Sequence, residues 1–141
     1  MSYDNPNRIK HSFGIFDFGG GANETFSVRG PKGKKGRLWD YGVEGIIEVM
    51  NGDTLDPTIA VGTPSDPDAY GDEFTLSTAL APDNHALSIR TEYREDEAGF
   101  DTYMLNRAIP ADQEVVLTCT AATGAGLTGQ AVPFVIIDWD D

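Results

Sequence analysis

The sequence predicts an all-β protein, and three observations carry that expectation. Apolar and polar residues alternate over short runs, glycine and proline punctuate those runs, and no stretch keeps a helical period for long. The 141 residues include 16 Gly and 8 Pro. About eight short strands at fairly even spacing predict one antiparallel sandwich or barrel. A chain of this length is one domain by expectation and buries roughly 70% of its unfolded surface.

Residues 1–10, MSYDNPNRIK, read as a mobile N-terminal arm ahead of a β domain spanning 11–141. HSFGIFDF (11–18) is a strand with His11, Phe13, Ile15 and Asp17 on one side and Phe16 and Phe18 on the other. Gly19, Gly20 and Gly21 close it, and ETFSVRG (24–30) opens the next run. The loop GPKGKKG (30–36) leads into RLWDYGVEGIIEVM (37–50), one long strand or two with a bend, ended by the turn dipeptide Asn51-Gly52. TIAVG (58–62) and EFTLS (73–77) flank a polar loop. HALSIRTEYRE (85–95) has Leu87, Ile89, Thr91 and Tyr93 on one face, the period of a half-buried strand. A single helical turn fits residues 79–84.

The last third continues in kind. TYMLNRAI (102–109) reads as a strand, Pro110 to Gln113 as a turn, and EVVLTCT (114–120) as a strand burying Val115, Leu117 and Cys119. AATGAGLTGQ (121–130) is a glycine-rich loop, and AVPFVIIDW (131–139) is the closing strand. Pro133 lacks a ladder donor, which places that strand at a sheet edge or makes it start late.

Charge is divided unevenly along the chain. Lys and Arg number 10 against 23 Asp and Glu, a net −13. Residues 1–37 hold seven bases and three acids, net +4, while residues 38–141 hold three bases and twenty acids, net −17. So negative a body repels nucleic acid, whose binding depends on neutralised phosphates. No apolar run approaches the roughly 20 residues of a membrane span, and the N-terminus lacks a signal-peptide core. The single cysteine excludes an internal disulfide framework.

Chemical signatures are weak throughout. GPKGKKG lacks the Gly-Lys-Ser/Thr and following helix of a phosphate loop. In DPDAYGDE, Asp66 and Gly71 suit the first and sixth positions of a calcium loop, but Tyr70 and Ser77 occupy its fifth and twelfth. The acidic loop therefore reads as solvated. His11, His85 and Cys119 lack zinc spacing, and neither histidine has a nucleophile motif beside it. Trp39, Tyr41, Tyr93, Tyr103 and Trp139 are candidates for a sugar platform, though core packing is the commoner role for such residues. No cofactor and no catalytic or metal residue is expected.

Three segments resemble a known family: FGIFDFGGG with FSVRGPKGKKGRLWDYGVEG, then TIAVGTPSDPDAYG, then AIPADQEVVLTCTAATGAGLTGQAVPFVIIDW. They are similar to small capsid decoration (cement) proteins of tailed bacteriophages, over about Phe13 to Trp139. The most telling pieces are Gly-Pro-x-Gly-Lys-x-Gly-Arg at 30–37, Ile-Pro-Ala-Asp at 109–112 and the closing Val-x-Ile-Asp-Trp. The resemblance implies a jelly-roll β-sandwich, made in the host cytoplasm, that binds the outer surface of the phage head after expansion. It further implies a homo-oligomer, with a trimer favoured, that clamps neighbouring major capsid subunits. No catalytic residue set accompanies it.

The residues suggest how such docking works. Lys32, Lys34, Lys35 and Arg37, with Arg8 and Lys10 of the arm, are the expected contacts to an acidic shell. A competing expectation is a virion or tail-fibre sandwich that binds host glycan through loop 62–73. A small hydrolase or isomerase on a cupin-like barrel is weaker, because such chemistry usually requires a histidine cluster and the chain has 2 His.

Overall fold

A computed structural model describes residues 7–20, 22–51, 55–76, 86–124 and 128–140. Two antiparallel sheets pack face to face, a sandwich rather than a closed barrel. The strands are β1 (Arg8–Ser12), β2 (Phe16–Asp17), β3 (Glu24–Val28), β4 (Lys35–Asn51), β5 (Thr58–Gly62), β6 (Gly71–Thr75) and β7 (Ala86–Ser88). Two short helices, α1 (Ile89–Glu92) and α2 (Ala98–Tyr103), precede β8 (Ala108–Ile109), β9 (Val115–Thr120) and β10 (Thr128–Asp140). One sheet runs β1-β10-β4-β7, with β2 also on β10 and β8 also on β4. The other runs β3-β9-β5-β6.

The core follows from strand alternation. Leu38, Tyr41 and Val43 of β4 and Val135, Ile137 and Trp139 of β10 are buried from the first sheet. Ile59 and Val61, Phe74, and Val115, Leu117 and Cys119 answer them from the second. Each apolar side chain of this size contributes about 1.5–3 kcal/mol when buried. The segment forms one long strand, β4, whose pairing with β10 shifts register between Glu44 and Glu48; there Gly45 takes φ 56°, a left-handed value that glycine adopts freely.

Several expectations are corrected. The alternation over 85–95 becomes a strand only to Ser88; His85 lies outside the described residues. There a capping box takes over: the Thr91 amide donates to Ser88 Oγ at 3.2 Å, and the Ser88 amide donates to Thr91 Oγ1 at 2.7 Å. Two reciprocal bonds satisfy donors that a strand would leave at the sheet edge, and α1 follows. The strand expected at 102–109 is instead the end of α2 plus the two-residue β8. Phe100 and Met104, four apart and both buried, supply a helical spacing that alternation obscures.

The closing strand also differs. It begins at Thr128, inside the segment expected to be a loop, and it lies centrally between β1 and β4. Pro133 is tolerated there because its carbonyl accepts the Phe13 amide at 3.2 Å. A residue's N and O point to the same side of a strand, so the missing donor faces the break between β1 and β2. Gly14, at φ 81°, makes that break.

The N-terminal boundary shifts as well. Arg8–Lys10, expected in a mobile arm, form β1 against Asp138–Ile136 of β10. Residues 1–6, and the helical turn expected at 79–84, lie outside the described residues.

Candidate interaction surface

The glycine-rich loop is built around Trp139. A Cβ on Gly30 would lie 2.3 Å from the indole, and one on Gly36 would lie 2.8 Å from it. Both positions therefore exclude any side chain, and Gly36 is also the cross-strand partner of Trp139. Between them the Lys34 amide donates to the Pro31 carbonyl at 3.1 Å, closing a turn in which Gly33 has φ 77°. The loop then continues directly as β4. Its glycines serve packing and a turn.

The turn at 109–112 supports the loop from below. Asp112 Oδ1 accepts the Gly33 amide at 2.8 Å, and the Asp112 carbonyl accepts Arg29 Nη1 at 2.8 Å. Gly36 pairs with Ile109 and Arg37 with Ala108. The three telling pieces of the sequence, 30–37, 109–112 and the terminal Asp-Trp, thus meet at one end of the sandwich. His11 joins them, its Nε2 accepting the Trp139 indole N–H at 3.2 Å. Burial lowers the His11 pKa, and the indole bond requires that nitrogen to be unprotonated.

The six expected basic residues divide. Lys32 is exposed on the turn, Lys34 is half-buried, and Lys35 stands opposite Asp140 on β10. Arg37 is exposed, and cross-strand pairing sets Arg8, Asp138 and Arg37 in one row on the outer face of the first sheet. Arg8 is committed within the chain, its Nε and Nη2 donating to Asp138 at 2.6 and 3.1 Å. Lys10 pairs with Glu44.

Beside that row stands Trp39, the unmatched residue of a bulge, since Leu38 pairs with Ile137 and Asp40 with Ile136. The Arg8 and Arg90 guanidinium groups each lie 3.4 Å from its ring centroid. Two groups that close to one centroid occupy opposite faces, so the indole is clamped between cations. Arg90 Nε donates to the Trp39 carbonyl at 2.6 Å and Nη2 to Glu95 at 2.7 Å. Arg107 Nε donates to the Leu38 carbonyl at 2.9 Å. Burial, then the Arg37 and Arg90 charges, hold Arg107 below the usual arginine pKa. The Arg90 hydrogen bond and charge lower Glu95. Asp40 lies behind, accepting from Ser88 Oγ at 2.7 Å, yet burial raises its pKa.

Arg90 and Arg107 were missed by reading the basic segment alone. Their signal was available: they are two of only three bases among residues 38–141, the third being Arg94. A cation inside a strongly acidic stretch is the residue to ask about.

The other candidates do not converge. Tyr41 and Trp139 are buried, Trp39 is covered on both faces, and Tyr93 stacks on Tyr103 at 5.7 Å. His11 and buried Cys119 lie on different sheets, and among the described residues no three His, Cys, Asp or Glu could hold a metal ion. On the outer face of the second sheet a groove of about 620 Å³ is lined by Thr58, Thr75 and Thr120 with Asp56 and Glu73. Comparison of the chain with protein-family models, curated proteins and solved structures returned no match.

Proposed function

We propose that this protein is a non-enzymatic virion component, a capsid decoration protein that binds the outer surface of a tailed-phage head and bridges major capsid subunits. One observation carries the reading: the three most telling pieces of the resemblance, 30–37, 109–112 and Asp138-Trp139, dispersed in sequence, meet at one end of the sandwich and raise Lys32, Lys34 and Lys35 on it. A basic end on a chain of net −13 is suited to a localised contact with an acidic shell.

The strand orders support the jelly-roll part of the reading. If β1 with β2, and β7 with β8, each count as one interrupted strand, eight strands remain. Chain order then gives first-eighth-third-sixth in one sheet and second-seventh-fourth-fifth in the other, the order of a double Greek key. Such a scaffold holds its terminal strands side by side. A closed homo-oligomer, with a trimer favoured, would present the same basic end several times to a shell of matching symmetry.

The test is light scattering of the purified protein followed by co-sedimentation with expanded heads that lack their decoration protein. Stoichiometric saturation of the heads is expected, weakened when Lys34 and Lys35 are both changed to Glu in a protein that still folds. A chain that ignores such heads is not a decoration protein.

A further inference from the structure

We propose that the four arginines around Trp39 form a docking surface for an acidic protein segment, one carboxylate of which sits between Arg37 and Arg107. The inference deepens the proposed function by naming a surface and its chemistry. It rests on that function only for the partner's identity.

The surface is pre-organised. Arg8 and Arg90 are fixed by stacking on Trp39 and by hydrogen bonds to Asp138, to the Trp39 carbonyl and to Glu95. Arg107 is anchored at Nε by the Leu38 carbonyl, with Nη1 3.7 Å from Glu95. Side chains already held in place lose little freedom when a partner binds.

The cluster is also short of carboxylates. Asp138 gives both oxygens to Arg8, and Asp40 is occupied by Ser88 Oγ and by the amides of Tyr41 and Arg90. Glu95 is shared: it bonds Arg90, but its nearest approach to Arg107 is 3.7 Å, beyond a hydrogen bond. Among the described residues Arg37 forms no ion pair within 4.0 Å, although its charge is felt by both Arg107 and Glu95. A further carboxylate would relieve the repulsion between these two guanidiniums and accept the paired N–H donors of a planar fork.

The charge of the rest of the chain makes the site selective. At net −13 the protein repels polyanions at long range, so an acidic segment is held only where cations are concentrated. A nucleic acid would bring continuous phosphate charge against the surrounding acids. A short acidic peptide meets only the cluster.

The experiment uses the whole chain and a fluorescent hexaglutamate peptide, read by anisotropy at low salt. Wild type should bind, and Arg37→Glu should weaken binding about tenfold or more, consistent with loss of a charge-assisted contact. Arg94→Glu, an equal charge change at an exposed position outside the cluster, should shift it less than about twofold. Thermal unfolding verifies that both variants fold. Absence of peptide binding, equal loss in the two variants, or tighter binding of a thymidine hexanucleotide would overturn the proposal. Decoration-free heads separate the two readings. Peptide binding that depends on Arg37, with heads ignored, upholds this surface and sinks the capsid role. Heads bound equally by wild type and Arg37→Glu leave the capsid role standing and remove this surface from it.

Discussion

Asp112 holds the glycine-rich loop in place: its Oδ1 accepts the Gly33 amide at 2.8 Å across 79 residues of sequence. Both residues are left-handed, Asp112 at φ 60° and Gly33 at φ 77°. Each turn therefore adopts a conformation few residues tolerate, and the two turns are joined through it. Aspartate suits the position because its short polar side chain allows the left-handed region. Position and partner together explain why an Asp ends the Ile-Pro-Ala-Asp turn.

Asp112→Ala should destabilise the protein by about 1–3 kcal/mol, combining a lost hydrogen bond with left-handed strain. Asp112→Asn keeps an acceptor and the tolerance of positive φ, so its cost should stay below about 1 kcal/mol. Urea denaturation midpoints decide this. Alanine and wild-type midpoints that coincide would mean the link carries no stability.

Gly30→Ala and Gly33→Ala should both destabilise, for separable reasons. The first drives a methyl into the Trp139 ring, and overpacking of this kind costs about 1–3 kcal/mol. The second meets no atom within 4 Å but strains a residue at φ 77°, which costs about 1–2 kcal/mol. Asparagine should recover most of the loss at 33 and none at 30. Recovery at both positions would refute the packing role of Gly30.

Much of the sandwich was legible because alternation is a direct record of which side chains face inward. Phe16 and Phe18, and Val115, Leu117 and Cys119, are buried as their spacing requires. The errors share a physical cause. Ser88 and Thr91 cap each other locally, and that short-range pairing ends the strand: Leu87 and Ile89 are buried as the alternation expects, but Ser88 is buried too and Thr91 is exposed. Pro133 was misjudged because the break at Gly14 that accommodates it lies on a neighbouring strand. The candidate surface was half legible: Arg8 and Arg37 belong to a visible basic segment, whereas Arg90 and Arg107 join them only through the register of β4 with β7 and β8.

Cys119 should be chemically inert in the folded protein. Burial, with a smaller contribution from the Glu24 charge, pushes its thiol pKa up to about 12. At pH 8 the thiolate is then about a thousandfold scarcer than for a free cysteine. An aromatic disulfide reagent should label it within seconds in denaturant and only at the rate of opening in buffer. Rapid native labelling would contradict the buried position.

Stability should fall as the solution is acidified through the titration of His11. Its ordinary pKa is 6.5 and burial lowers it in the folded chain, so between the two values the unfolded chain binds more protons. The stabilisation is fully present above 6.5 and is lost as pH falls through the folded value. Protonation also removes the acceptor from the Trp139 indole N–H, 3.2 Å away, at the end of the core where Gly30 and Gly36 pack. Asp40 acts in the opposite sense: burial raises it above 3.8, so its contribution grows as pH falls. His11→Gln separates the two, since glutamine can still accept from the indole but does not titrate. Denaturation midpoints taken from pH 7.5 downward should decline more steeply for wild type than for the variant, the gap opening just below 6.5. Parallel curves would show that His11 does not couple protonation to the fold.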